Sequence, residues 1–225
     1  MSSLIYHSIF TSIQGEGSRT GKLSVFLRLA GCNLNCVFCD TKYAVGMEYF
    51  RNWEKQSLNN IIKKIEKLSD KTIGNFIITG GEPLLQLEGI KPLINVLKNE
   101  FSSIEIETNG TISGKILFDN SVYFNVSVKL SNSREKRGKR IIPAIIKEFN
   151  DYNKAIFKFV VKDEKDVNEV IEIQSDYNIK NEKIYLMPMA ETKPELDKIA
   201  DNILKLALSN KFNFSDRLQL RYNIK

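Results

Sequence analysis

Hydrophobic and polar positions along this chain switch repeatedly between two periods. Over residues 57–68, Leu58, Ile61, Ile62, Ile65 and Leu68 recur at helical spacing among polar residues, the pattern of a helix with one buried face. Residues 84–99 repeat it with Leu85, Ile90, Leu93, Ile94 and Leu97, and Pro92 is placed to kink that helix. Further helices are expected over 141–150, over 163–175 with acidic residues at its start, and over 194–210 with Ile199, Ile203, Leu204 and Ala207 facing inward. Strand-length runs lie between them at 22–30, 73–79, 103–108, 122–128, 154–161 and 183–188. A last strand is expected over 217–222. Residues 42–56, with Tyr43, Tyr49, Phe50 and Trp53, read as a loop or short extended pieces.

In the run 22–30, Val25, Leu27 and Leu29 face one side and Phe26, Arg28 and Ala30 the other. Both faces are mostly apolar, as in a strand covered on both sides. Strands alternating with helices predict a largely parallel sheet with right-handed crossovers. About six such units fit either an open doubly wound α/β sheet or a partial barrel, and periodicity does not choose between them. No linker, internal repeat or low-complexity tract divides the chain, so one domain over residues 1–225 is expected. Sheets of this kind bind ligands at the carboxyl ends of their strands. Cys32 follows the first strand, Gly80 the second, Asn109 the third and Lys129 the fourth.

Composition adds bounds. Of 225 residues, 42% are apolar and 27% charged, ordinary for a globular domain with a substantial core. No apolar run approaches the roughly 20 residues of a membrane helix, and residues 1–6 lack a signal-peptide pattern. A cytoplasmic location is the expectation, and it suits reduced thiols. The net charge of +6 is concentrated: Lys129, Arg134, Lys136, Arg137, Lys139 and Arg140 stand against Glu135 alone within 129–140. Such a cluster is most often a solvated loop; it also suits an anion, an acidic electron donor or nucleic acid. No interleaved aromatics support direct nucleic-acid binding.

The candidate chemistry centres on residues 31–41, which hold all three cysteines as Cys32-x3-Cys36-x2-Cys39. Three thiolates are one short of a closed tetrahedral site, and an open coordination position signals chemistry. Sulfur ligation favours zinc, copper or an iron–sulfur cluster. A four-iron cluster on three cysteines would leave one iron free. The alternatives are buried apolar cysteines or zinc with a distant fourth ligand, for which His7 is the only histidine. An odd cysteine count without a secretory signal argues against disulfides. Arg28 in an apolar strand needs a partner, either a buried acid or a bound carboxylate that its planar fork would clamp. In Ser12-Ile13-Gln14-Gly15-Glu16-Gly17, Gln14 offers donor and acceptor and Glu16 offers acceptors, so the loop is either a plain turn or a reader of a heterocycle edge.

With Phe38 just before Cys39, the cysteine spacing resembles the signature of radical S-adenosylmethionine (SAM) enzymes, and Gly80-Gly81-Glu82-Pro83 is a second match. The resemblance implies a partial (βα)6 TIM-like barrel and a [4Fe-4S] cluster on Cys32, Cys36 and Cys39. SAM would bind the open iron and be cleaved on reduction to a 5′-deoxyadenosyl radical. It also implies SAM contacts at Phe38, Asp40, Gly80, Gly81 and Glu82, at Thr108 and Asn109, and at Ser127 and Lys129. There Val128 replaces the proline of the family's Ser-Pro-Lys pattern. The loop at 12–17, Arg28, the pair Asp40-Thr41 and the short chain are similar to 7-carboxy-7-deazaguanine synthases. That narrower resemblance implies a radical SAM lyase of the queuosine and 7-deazapurine route, which contracts the ring of 6-carboxy-5,6,7,8-tetrahydropterin with loss of ammonia. It implies substrate contacts at Ile13, Gln14, Gly15, Glu16, Arg28 and Thr79, and at the terminal carboxylate, which falls on Lys225. It implies a magnesium ion at Thr41, a flavodoxin or ferredoxin as electron donor, and a homodimer. The C-terminal segment departs from the histidine and tryptophan–glycine pair common in that family, and no general base stands out. Met187 and Met189 end a strand on the same side and read first as core. The rivals are another radical SAM enzyme, such as a glycyl-radical activase, and a metal- or redox-sensing protein without turnover.

Overall fold

The computed structural model describes residues 2–70 and 72–224. Six parallel strands form its centre: β2 (Leu23–Leu29), β4 (Asn75–Gly80), β5 (Ser103–Thr108), β6 (Val122–Ser127), β7 (Ala155–Val161) and β8 (Ile184–Pro188). Two antiparallel strands, β1 (Ser3–Ile13) and the edge strand β3 (Glu54–Ser57), extend one side, and the two-residue β9 (Asn213–Phe214) extends the other. The sheet order is β3-β1-β2-β4-β5-β6-β7-β8-β9. From β2 to β8 this follows the chain without reversal, so there is no switch point of a doubly wound sheet. The crossover helices fall on one face and leave the other open, which is the partial barrel.

Side-chain alternation divides the two faces. Val25, Leu27, Leu29, Phe76, Ile78, Ile104, Ile106, Phe124, Phe157, Phe159 and Leu186 belong to one continuous core on the helix-covered face. The helices over it are α2 (Leu58–Ser69), α3 (Leu87–Leu97), α5 (Pro143–Asp151), α6 (Glu164–Tyr177) and α7 (Lys193–Asn210). Their ends are fixed locally. Asp163 accepts a hydrogen bond from the Asp166 N–H at the start of α6, and Thr192 with Glu195 forms a capping box at the start of α7. Pro92 lies inside α3. The opposite, concave face carries Arg28, Thr79, Glu105, Glu107, Asn125 and Lys158, with Phe10, Phe26 and Ile77 as a small apolar cluster and Val160 and Met187 beyond them. The lumen is therefore polar, unlike the mostly apolar second face that the sequence predicts.

Three further elements differ from expectation. Strand β1 escapes the alternation test because its register shifts between Tyr6 and Ser8. Leu4 and Tyr6 face the core before that irregularity, whereas Ile9 packs on the core and Phe10 faces the lumen after it. A bulge reverses which parity points inward, so the period of two is interrupted. The predicted strand over 217–222 is instead a short helix, α8 (Leu218–Tyr222), opened by hydrogen bonds from the Leu220 and Arg221 N–H groups to the Arg217 carbonyl. Residues 42–56 contain α1 (Lys42–Val45), a 3-10 turn and β3. Another short helix, α4 (Arg137–Arg140), lies in the basic segment.

Candidate active site

A cavity of about 720 Å³ opens at the carboxyl ends of the parallel strands, within the usual range for a ligand pocket. It is lined by all three cysteines and by Phe38, Asp40, Thr41, Gly80, Gly81, Thr108, Asn109, Ser127 and Lys129. Ile13, Gln14, Gly15, Glu16, Arg28 and Thr79 share the same wall space, as do Met187 and Met189. Two expected residues stand apart. Glu82 does not line the cavity, and Lys225 lies outside the described residues.

The cysteine loop is seated by backbone contacts with the glycine turn. The Glu82 N–H donates to the Gly31 carbonyl at 2.8 Å, and the Gly81 N–H to Leu29 at 3.1 Å. A Cβ on Gly81 would stand 2.0 Å from the Gly31 oxygen. No side chain fits there, so the glycine is required by close approach. Asn109 reaches Cys32 Sγ at 3.8 Å, and the Leu34 N–H reaches it at 3.4 Å. Cys39 Sγ lies 3.6 Å from the Thr41 hydroxyl. Burial pushes the Cys32 and Cys36 thiols up; Cys36 also feels the charges of Cys32 and Cys39, and Cys32 that of Cys39. Among the described residues no trio of His, Cys, Asp or Glu side chains converges on a single ion. A four-iron cluster does not require that, because each thiolate ligates its own iron. Three clustered thiols facing a cavity, with no fourth ligand among the three cysteines of the chain, fit such a cluster with one open corner.

Glu82 has a structural part. It is fully buried and accepts from the Leu84 N–H, the Thr108 hydroxyl and the Asn109 N–H at 3.0, 2.8 and 2.6 Å. Burial raises its pKa against those hydrogen bonds. It ties the turn after β4 to the end of β5, and so places Thr108 and Asn109 on the cavity wall.

The other end of the cavity is a buried polar network. Gln14, 3% exposed, donates to Glu105 and, at 3.2 Å, to Glu107, while its oxygen accepts from the Glu16 N–H. Thr79 donates to Glu107 at 2.6 Å. Glu16 pairs with Lys158 and with Arg217, and Gln219 donates to it at 2.6 Å. Burial alone would raise the Glu16 pKa, but the charges of Lys158 and Arg217 and the hydrogen bonds outweigh it and lower it to about 2. Glu105 behaves oppositely. Burial, then the charge of Glu107, pushes it up to about 8. Arg28 has no ion-pair partner among the described residues; its guanidinium lies 5.6 Å from the Phe10 ring centre and 5.8 Å from that of Tyr43. A charged fork on a cavity wall with no ion-paired acid is free to clamp a carboxylate.

Lys158, Glu105, Arg217 and Gln219 escape the sequence reading. The first two had a signal, the same one that singled out Arg28: a charge alternating with apolar residues inside a predicted strand. Arg217 and Gln219 had none, because their position depends on α8 turning back. The Leu218 N–H donates to the Gly15 carbonyl, and the Gly17 N–H to the Ser215 hydroxyl at 2.8 Å. Arg217 also bonds Asp40 and the Ala190 carbonyl, linking the cysteine loop to the loop at 14–17. Gly17, at φ +72°, would place a Cβ 2.4 Å from the Asn125 amide nitrogen.

The radical SAM superfamily profile matches residues 27–203. The 7-carboxy-7-deazaguanine synthase of Hyperthermus butylicus is 36% identical over 217 residues, covering 94% of this chain and 89% of that protein. That of Clostridium acetobutylicum is 38% identical, covering 87% of each. The chain belongs to the 7-carboxy-7-deazaguanine synthase family. The crystal structure of QueE from Escherichia coli superposes with a TM-score of 0.73 at 24% identity, covering 95% of this chain and 93% of that one, which establishes the shared partial-barrel fold. Membership of this family sets aside the glycyl-radical activase and the non-catalytic sensor. Radical SAM enzymes work with a [4Fe-4S] cluster and SAM, and the cavity of this synthase-family chain keeps both sequence signatures on one wall. Among the described residues no helix is long and apolar enough to cross a membrane.

Proposed function

We infer that this chain is a 7-carboxy-7-deazaguanine synthase, acting on 6-carboxy-5,6,7,8-tetrahydropterin. The observation that carries the reading is one cavity holding the cysteine loop and glycine turn at one end and Arg28, Gln14, Glu16 and Thr79 at the other. Cys32, Cys36 and Cys39 would hold the cluster, with Gly81, Thr108, Asn109, Ser127 and Lys129 around SAM. When bound, cluster and SAM supply the radical chemistry that opens the reaction at C6 of the pterin.

The residues of the chain do the rest. Arg28 binds the substrate carboxylate through its paired N–H donors. The acceptors of Glu16 and Glu107 face the pterin's N–H edge; Gln14 and Thr79 hold the Glu107 carboxylate in place, and Lys158, Arg217 and Gln219 hold that of Glu16. Glu16 stays ionised because Lys158 and Arg217 flank it, so it accepts hydrogen bonds throughout. Phe10, Phe26 and Tyr43 line the same cavity and keep water from the reacting carbon. The Thr41 hydroxyl would contribute to a magnesium ion whose remaining ligands are substrate oxygens and water, a pattern normal for this hard cation. A flavodoxin or ferredoxin as donor and a homodimeric assembly belong to the same proposal.

The test is anaerobic turnover of the iron–sulfur-reconstituted protein with SAM, dithionite, magnesium and the pterin. 7-Carboxy-7-deazaguanine detected by mass spectrometry is the expected result. SAM cleavage without it would refute the substrate assignment.

A further inference from the structure

Arg217 spends its whole guanidinium on three separate elements. Its Nε donates to Glu16 of the substrate loop at 3.2 Å, one terminal nitrogen donates to the Ala190 carbonyl just beyond β8, and the other to Asp40 beside Cys39. The residue is 5% exposed. A planar guanidinium offers its donors in fixed directions, so three partners held at once are fixed relative to one another. Arg217 opens the carboxyl-terminal segment in which this chain departs from the family's pattern.

Two of the three attachments are held by other contacts as well. Glu16 also pairs with Lys158 and accepts from Gln219 at 2.6 Å. Ala190 packs with Leu196, Ala200 and Leu220. The backbone that carries Arg217 is pinned in turn: the Leu218 N–H donates to the Gly15 carbonyl at 3.2 Å, and Arg221 pairs with Asp216 and, at 2.9 Å, with Asp197. Asp40 is different. It lines the cavity, its side chain is 51% exposed, and among the described residues Arg217 is its one hydrogen-bond or ion-pair partner. One ion pair thus runs from the residue after Cys39 to a group locked onto the loop at 14–17.

We propose that Arg217 is a positioning residue that couples the two ends of the cavity, so that SAM and the pterin each bind more tightly with the other in place. This rests on the synthase reading, which puts both ligands in this cavity. The two states are the clamp closed, as in this structure, and Asp40 released to solvent, for which its exposure leaves room. A pterin seated on the loop at 14–17 fixes Glu16, through it Arg217, and through that Asp40 on the SAM wall. SAM seated against residues 38–40 favours the closed clamp from the other end. Linkage makes the two effects equal in size.

The test measures SAM affinity by anaerobic calorimetry on the reconstituted holoprotein, with and without saturating 6-carboxytetrahydropterin. The cluster is left unreduced, so no turnover intervenes. The variants are Asp40→Asn, Arg217→Lys and the two combined, with Arg221→Gln as an α8 control outside the cavity lining. The parent is expected to bind SAM about fivefold or more tighter when the pterin is present, and the pterin to gain by the same factor from SAM. Asp40→Asn and Arg217→Lys should each bring that factor close to one, and the combined variant should lower it no further, because both remove the same contact. Arg221→Gln should keep the parental factor. Asp40→Asn leaves the buried pairs of Glu16 in place, so it answers the question even if Arg217→Lys fails to fold. A parental factor retained in Asp40→Asn would overturn the proposal. So would its loss in Arg221→Gln, which would assign the effect to the docking of α8 as a whole. A parent that makes deazaguanine under dithionite but whose SAM affinity ignores the pterin would sink this proposal alone. Failure of the synthase reading would show separately, as absence of deazaguanine in that same parent.

Discussion

Arg28 and Glu16 carry opposite electrostatic designs at the substrate end. Arg28 is left without an acid, so Arg28→Ala should lower deazaguanine formation by about a hundredfold or more, from loss of a charge-assisted, bidentate contact. The bound iron and the SAM affinity should match the parent, as read by iron content and calorimetry. Glu16 is instead enclosed by Lys158 and Arg217. Glu16→Gln strands two buried cations, and a loss of about 3–5 kcal/mol in stability is expected from breaking such a buried group. Urea unfolding measures it. The parental Glu16 contribution is present above its ordinary pKa of 4.5 and fades as pH falls toward about 2. Glu105 has the reverse sign. Its folded pKa of about 8 lies above the ordinary 4.5, so the fold binds more protons between those values and loses stability as pH rises. Glu105→Gln should remove that slope, and the variant's Tm advantage over the parent should grow from about pH 5 to about pH 8.

Contacts between elements decide how the two ends of the cavity meet. The turn after β4 touches the cysteine loop backbone to backbone at Gly81 and Gly31. Gly81→Ala must push these apart, so iron incorporation or SAM affinity should fall by about tenfold or more, from a displaced first contact shell. Iron analysis and equilibrium binding are the readouts. At this scale the sequence was readable wherever one period ran unbroken: the helices over the core and β4 to β8 lie where periodicity places them. It failed at β1, where the bulge at Tyr6–Ser8 reverses the inward parity. It failed again at α8, where Leu218, Leu220 and Tyr222 mimic strand alternation but Arg217 and Gln219 are drawn back to Glu16. Those contacts link residues some 200 positions apart, and no local pattern encodes them.

The whole molecule is a sheet with an apolar back and a charged lumen. The cysteine and glycine motifs were legible because their spacing is set by local chemistry, and the structure gathers them on one wall. Glu105 and Lys158 were hidden because a strand facing a polar cavity looks, residue by residue, like a strand with isolated exposed charges. Only the chain-ordered strand succession, which closes the concave face over them, shows that they are buried together. The central claim is that this closure brings the SAM end and the pterin end into one reaction volume. The most direct measurement is anaerobic turnover with 6-carboxytetrahydropterin deuterated at C6, reading deuterium in 5′-deoxyadenosine by mass spectrometry. The account predicts deuterium in 5′-deoxyadenosine together with 7-carboxy-7-deazaguanine. Unlabelled 5′-deoxyadenosine with no deazaguanine, from protein carrying its full iron, would contradict it.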